Sequence, residues 1–171
     1  MTHFGSRGNF PLTRMRRLRQ APWSRALVCE TTLGPSNLIW PLFILPGINK
    51  QDDVTSLPGV SRYSVDRLLG QVELAVQAGI PAIALFPVTP PELKSEDGRE
   101  AFNDKNLMCT AIGAIRAHFG DQLGIVCDVA LDPYTSHGQD GLLRDGEILN
   151  DANLDVLCKQ AIVQAAAGAS V

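Results

Sequence analysis

"VDRLLGQVELAVQAGIPAIALFPV", residues 65–88, decides the fold. In its first half Val65, Leu68, Leu69, Val72, Ala75 and Val76 recur at the three-and-four spacing of one helix face. Ser64 stands at the N-cap position, and Gly79 stands where a helix closes in the left-handed conformation. The second half, "PAIALFPV" (81–88), is a continuous apolar run too short for a helix. It predicts a strand buried on both faces, as in a parallel sheet.

The same alternation runs outward in both directions. Upstream, "LIWPLFIL" (38–45) predicts a strand. Downstream, "NLMCTAIGAIRAHFG" (106–120) predicts a helix ending at glycine, and "GIVCDVALD" (124–132) a third strand. "DANLDVLCKQAIVQAAAG" (151–168) predicts a helix with Leu154, Leu157, Cys158, Ala161, Ile162 and Ala165 on its buried face. The closing "ASV" falls where a fourth strand should begin. The expected class is α/β, about three βα units of a parallel sheet. Three units do not close a barrel, so the sequence reads as the N-terminal part of something longer.

Bulk properties exclude several function classes. The 171 residues are 45% hydrophobic and 19% charged, with a net charge of -3, which does not favour nucleic acid. No apolar run approaches the ~20 residues of a membrane span, and no signal-peptide core is visible, so a cytoplasmic location is expected. Residues 1–36 read as an arm and 37–171 as the folded body. The arm carries Arg14, Arg16, Arg17, Arg19 and Arg25, with Trp23, Leu27 and Val28 as apolar anchors, which favours docking on a sister subunit over nucleic acid. Cys29, Cys109, Cys127 and Cys158 form no close pair and read as reduced, mostly buried thiols, not a structural zinc site.

The chemistry gathers after the third strand, in "DVALDPYTSHGQDG" (128–141). On a strand Asp128, Ala130 and Asp132 would share one face, with Cys127 and Val129 on the other. Asp128 and Asp132 would then lie roughly 13 Å apart, too far to share a proton or an ion. Asp140 meets Asp132 only if the loop folds back, for which Pro133, Gly138 and Gly141 supply turn geometry. A lone strand-end aspartate is ordinarily a loop cap. Three carboxylates flanking Tyr134, Thr135, Ser136 and His137 point instead to a polar site at a strand C-terminal end, where such folds keep their chemistry. His137 reads as a local hydrogen-bonding residue of the loop, and Phe86 and Pro87 as packing residues.

The segments "LPGVSRYSVDRL" (57–68), "GIPAIALFPVTPPELKSEDGREAFN" (79–103), "DVALDPYTSHGQDG" (128–141) and "ILNDANLDVLCKQA" (148–161) resemble the porphobilinogen synthase family, also called delta-aminolevulinic acid dehydratase. The resemblance runs from about residue 12 to the last residue and covers roughly the first half of the family's usual length. It implies a partial (β/α)8 TIM barrel with an extended N-terminal arm that wraps a neighbour in a homo-octamer. It implies a lyase that condenses two molecules of 5-aminolevulinate into porphobilinogen with loss of water, an early step toward haem and other tetrapyrroles. Two lysines of the family form Schiff bases with substrate. Those lysines belong to later strands; Lys50, Lys94, Lys105 and Lys159 lie among polar neighbours, without the burial or nearby cation that lowers a lysine pKa, and read as surface charges. The chain alone is therefore expected to be inactive.

The resemblance also bears on metal. One branch of the family has three cysteines at the positions held here by Ala130, Asp132 and Asp140. Oxygen in place of sulfur argues against zinc and for a hard ion such as magnesium, or for none. Asp132 and Asp140 are the candidates for such a cation, and magnesium at a subunit interface would use residues elsewhere in the parent. No organic cofactor is expected. Without metal, Asp132 and Asp140, with Ser136, would bind the substrate, its ammonium group held by charge-assisted hydrogen bonds. Asp128 corresponds to a deeper active-site carboxylate, and all three aspartates are candidate supporting residues of catalysis. The alternative is a non-catalytic truncated module that associates with intact subunits through its arm. An unrelated aldolase-type barrel is a third reading, against which the loop 133–141 speaks.

Overall fold

A computed structural model describes residues 8–14 and 16–171. The chain divides into two compact units, one reaching to Gly34 and the other spanning Pro35–Val171. The basic arm's residues 1–7 and Met15 lie outside the described residues. In the first unit a short helix, α1 (Pro22–Leu27), starts with proline, whose missing N–H costs nothing there. Ser24 Oγ ties it back by donating to the carbonyls of Leu18 and Ala21.

The second unit is built on the alternation expected. Its strands are β1 (Ile39–Ile44), β2 (Gln51–Asp53), β3 (Ser61–Tyr63), β4 (Ala82–Pro87) and β5 (Gly124–Cys127), in the order β2-β3-β1-β4-β5. β1, β4 and β5 run parallel, with Ile39 opposite Ala82 and Ala82 opposite Gly124. The helix α2 (Val65–Gln77) crosses from β3 to β4, α3 (Leu107–Phe119) from β4 to β5, and α4 (Asn150–Ala167) follows the loop after β5. A small hairpin of β6 (Leu143–Arg144) and β7 (Glu147–Ile148) precedes α4. The backbone of Ser170 and Val171 bonds to Ile125 and Cys127, so a further extended segment does begin beside β5.

Each crossover adds the next strand on the same side of the last. Right-handed crossovers in that order put their helices on one face of the sheet. Leu42 and Ile44, Ile83 and Leu85, and Ile125 and Cys127 therefore pack against Leu68 and Val72 of α2 and Ile112 and Ile115 of α3. Burying a leucine or isoleucine there contributes roughly 1.5–3 kcal/mol. The opposite face, with Ile39, Pro41 and Phe43 of β1, is not covered in this way. Burial on both faces of the strands was expected; only the helix-facing side is closed. Phe86 has the packing role read from sequence, its ring 5.6 Å from that of Phe43.

The ends of α2 and α3 show where local chemistry holds and where it does not. Gly79, at φ +73°, closes α2: its N–H reaches Val76 and that of Ile80 reaches Ala75, the double bond of a Schellman turn. Asn106 caps α3 by accepting from the Cys109 N–H at 2.7 Å. Ser64, expected to cap α2, makes no cap bond. Its hydroxyl is taken by Lys50, accepting from the backbone N–H at 2.9 Å and donating to the carbonyl at 3.2 Å. Cys109 and Cys127 are buried free thiols, and burial pushes Cys127 up to about 12, whereas Cys29 and Cys158, expected to be buried with them, are exposed.

Candidate active site

β5 ends at Cys127, five residues before the strand end expected from the apolar run. Residues 128–130 continue without a ladder, and Leu131 starts a single turn whose carbonyl accepts from Tyr134 and Thr135. The alternation of faces therefore does not extend to Asp132. Leu131 and Tyr134 point inward instead, into a small cluster with Ala101 and Val156. Asp132, between them on the turn, is left facing solvent, while Ala130 is buried and Val129 is exposed. Burial pushes the Tyr134 phenol well above its usual value.

The loop folds back as the site requires. Asp140 Oδ1 accepts from the Leu131 N–H at 2.6 Å, a side chain nine residues on capping the turn that carries Asp132. Asp132 is consequently raised above its ordinary 3.8, by partial burial first, then by the charges of Asp140 and Asp128. The strand geometry behind the roughly 13 Å expected between Asp128 and Asp132 is replaced by a turn after Cys127, and the charges of Asp140 and Asp128 both act on Asp132. Lys94 offsets part of that repulsion. It is half-buried, where a surface charge was expected, and its charge acts on Asp132. Lys159 lies exposed on α4, its ammonium 5.5 Å from the Phe102 ring.

Lys94 is brought there because the loops after β4 and β5 are zipped together. Ser95 donates to the Tyr134 carbonyl at 3.1 Å and accepts from Ser136 at 3.0 Å, a parallel bridge centred on Thr135. Thr135 is fully buried and its hydroxyl donates to the Gln139 carbonyl. Ser136 remains exposed in the same loop as the aspartates. His137 has the local role expected: Nδ1 accepts from the Gln139 N–H, which leaves the proton of a neutral ring on Nε2.

α4 corrects the sequence reading most. Leu154 and Ile162, expected on its buried face, are exposed. The buried face is Asn153, Val156, Gln160 and Gln164. Gln160 donates to the carbonyls of Ala130 (3.1 Å) and Asp128 (3.4 Å), and Gln164 to Asp128 (3.2 Å). Asn153 accepts from the Leu142 N–H at 2.6 Å. A buried carbonyl left without a donor costs about 1–3 kcal/mol, so loop backbone that enters no ladder selects polar helix residues beneath it. Asn153, Gln160 and Gln164 share a helical period in the sequence, but that period does not say that loop carbonyls lie beneath it.

Oxygen chemistry dominates this rim. Among the described residues no three His, Cys, Asp or Glu side chains gather as metal ligands. Asp132 and Asp140 can pair with an organic cation. Among the described residues no helix is long and apolar enough to cross a membrane.

The comparisons with known proteins agree with this architecture. The delta-aminolevulinic acid dehydratase family matches residues 12–171. The delta-aminolevulinic acid dehydratase of Bradyrhizobium diazoefficiens is 51% identical over 158 residues, covering 92% of this chain and 44% of that protein. That of Bacillus subtilis is 39% identical, covering 92% of this chain and 48% of that protein. The chain thus spans less than half the length of these relatives. The crystal structure of delta-aminolevulinic acid dehydratase (porphobilinogen synthase) from Toxoplasma gondii ME49, in complex with the reaction product porphobilinogen, matches with a TM-score of 0.86 at 43% identity, over 92% of this chain and 45% of that one. Parallel strands with helices on one face are here part of a TIM barrel, and the chain belongs to the delta-aminolevulinic acid dehydratase family.

Proposed function

We propose that these residues form the N-terminal half of a porphobilinogen synthase, which condenses two 5-aminolevulinate molecules to porphobilinogen with loss of water. The observation that carries this reading is the loop after β5, where Asp140 caps the turn that bears Asp132 and the charges of Asp140 and Asp128 both act on Asp132, in a chain of this family. 5-Aminolevulinate bears an ammonium group. Carboxylates that repel one another gain from a cation between them, so Asp132 and Asp140 bind that ammonium and Ser136 supplies a further hydrogen bond. Asp128 orients polar groups deeper in the site. The Schiff-base lysines belong to the part of the relatives' length that this chain does not span. Magnesium, where the parent binds it, is held by residues outside this chain, and the aspartates act on substrate without it.

The parent is a cytoplasmic homo-oligomer, an octamer as the resemblance implies, and the arginine-rich arm with exposed Trp23 and Leu27 is its contact to a neighbouring subunit. The test is porphobilinogen formation by the complete polypeptide and by residues 1–171 alone. The complete polypeptide should turn over. Asp132→Asn and Asp140→Asn should each lower kcat/KM by at least about tenfold, the loss of one charge-assisted contact. Residues 1–171 alone should give no product; turnover by them would assign the covalent chemistry to one of Lys50, Lys94, Lys105 or Lys159 and overturn the proposal.

A further inference from the structure

The carboxylate loop leaves β5 with carbonyls that no strand takes up, and they are held from below by α4. We infer that Gln160 and Gln164 are positioning residues of this site, fixing the backbone of residues 128–130 and with it the separation of Asp128, Asp132 and Asp140. The inference rests on the proposed 5-aminolevulinate site.

Gln160 is fully buried and Gln164 is 2% exposed. Their amide nitrogens reach the carbonyls of Asp128 and Ala130 at 3.1–3.4 Å. Buried helix positions ordinarily take apolar side chains, and Gln160 Oε1 finds no partner among the described residues, which is unfavourable in itself. What the glutamines add over leucine or methionine is the donors. Asn153, on the same helix stripe, takes the other end of the loop through the Leu142 N–H. Asp140 ties the two ends together at Leu131. The segment is thus fixed on both sides of Asp132 by side chains outside it. A cation bound between carboxylates requires their spacing to be set before it arrives, because a misplacement of about 1 Å can cost on the order of a hundredfold in rate.

The hydrogen bonds are unequal, which gives the test its order. In Gln164→Met both carbonyls keep Gln160. In Gln160→Met the Ala130 carbonyl loses its donor, while Asp128 keeps Gln164. In the double variant neither is held. Methionine is similar in length and fills the space without an N–H. In the complete polypeptide, kcat/KM for 5-aminolevulinate should fall about threefold or less, about tenfold and about a hundredfold in that order. Most of the loss should lie in KM, and the melting temperature should fall only slightly, because the donors lost are partly offset by removal of the partnerless Gln160 Oε1. Crystal structures of the variants should show the Asp132 carboxylate displaced in that order. Native kcat/KM in the double variant, or losses that simply follow melting temperature, would overturn the inference. Absence of porphobilinogen formation by the unsubstituted polypeptide would sink the functional reading instead; the positions of Asp128 and Asp132 in the variant structures then decide the positioning role, and unmoved carboxylates refute it.

Discussion

Asp132 shows how one residue's electrostatics follow from a backbone detail. It sits on a turn whose neighbours, Leu131 and Tyr134, are anchored in the interior, so its carboxyl faces out beside Asp140 and Asp128. Its pKa is raised, mainly by partial burial and then by those two charges. The folded state therefore binds a proton more readily than the unfolded chain, and stability falls as pH rises from the ordinary 3.8 through the folded value. Asp132→Asn should abolish that loss. Because the carboxyl is exposed, the gain at neutral pH should be about 0.5 kcal/mol or less. Urea unfolding from acid to neutral pH checks this; a variant less stable than the parent above the titration would show that the charge is compensated in the fold. That the charges of Asp140 and Asp128 act on Asp132 follows from their clustering in a turn-rich loop after an apolar run, which the sequence shows. Lys94 was not legible in this way, because its approach depends on the pairing of Ser95 with Tyr134 and Ser136, in loops about forty residues apart.

At the scale of elements, helix ends and helix faces divide the predictable from the unpredictable. Gly70 lies exposed inside α2, and a Cβ there would meet nothing within 4 Å. Gly70→Ala should stabilise the fold by about 0.5–1 kcal/mol, from the lower conformational entropy of the unfolded chain. Gly168 is the opposite case. It closes α4 at φ +113°, and a Cβ would stand 2.7 Å from Arg116 Cγ. That arginine is committed: it donates to the Gly168 carbonyl at 2.7 Å and to Ser170 Oγ, joining α3 to the end of α4. Gly168→Ala should cost about 1–3 kcal/mol. Equilibrium unfolding of the two variants side by side tests both signs, and equal effects would refute the distinction. The helix of residues 150–167 was legible as a helix but not by its face. Leu154 and Ile162 share the apolar period, yet the loop backbone beneath the helix needs donors and an acceptor, and from α4 Asn153, Gln160 and Gln164 supply them.

For the whole molecule, the consequence of helices on one face is apolar surface elsewhere. Ile39 on the open face of β1 is 57% exposed, and Leu154 and Ile162 stand eight residues apart on the outer side of α4. Apolar surface of this kind, beside parallel strands, favours association. Residues 1–171 alone should self-associate at concentrations on the order of 100 µM, and Leu154→Lys with Ile162→Lys should reduce the mass measured by light scattering. A monomer at that concentration, or no effect of the lysines, would mean that this surface is not adhesive.

The alternation of apolar runs and helical periods determined by itself that this is a parallel α/β chain, because side-chain period reports burial wherever the backbone satisfies its own hydrogen bonds. The loop at 128–141 was marked by composition as the polar site, and its segments carried the family. Tertiary structure alone decided where β5 stops, which face of α4 is buried and how Lys94 reaches the aspartates. Each of those depends on hydrogen bonds between residues distant in the chain, and sequence periodicity carries no record of a partner that lies outside the period.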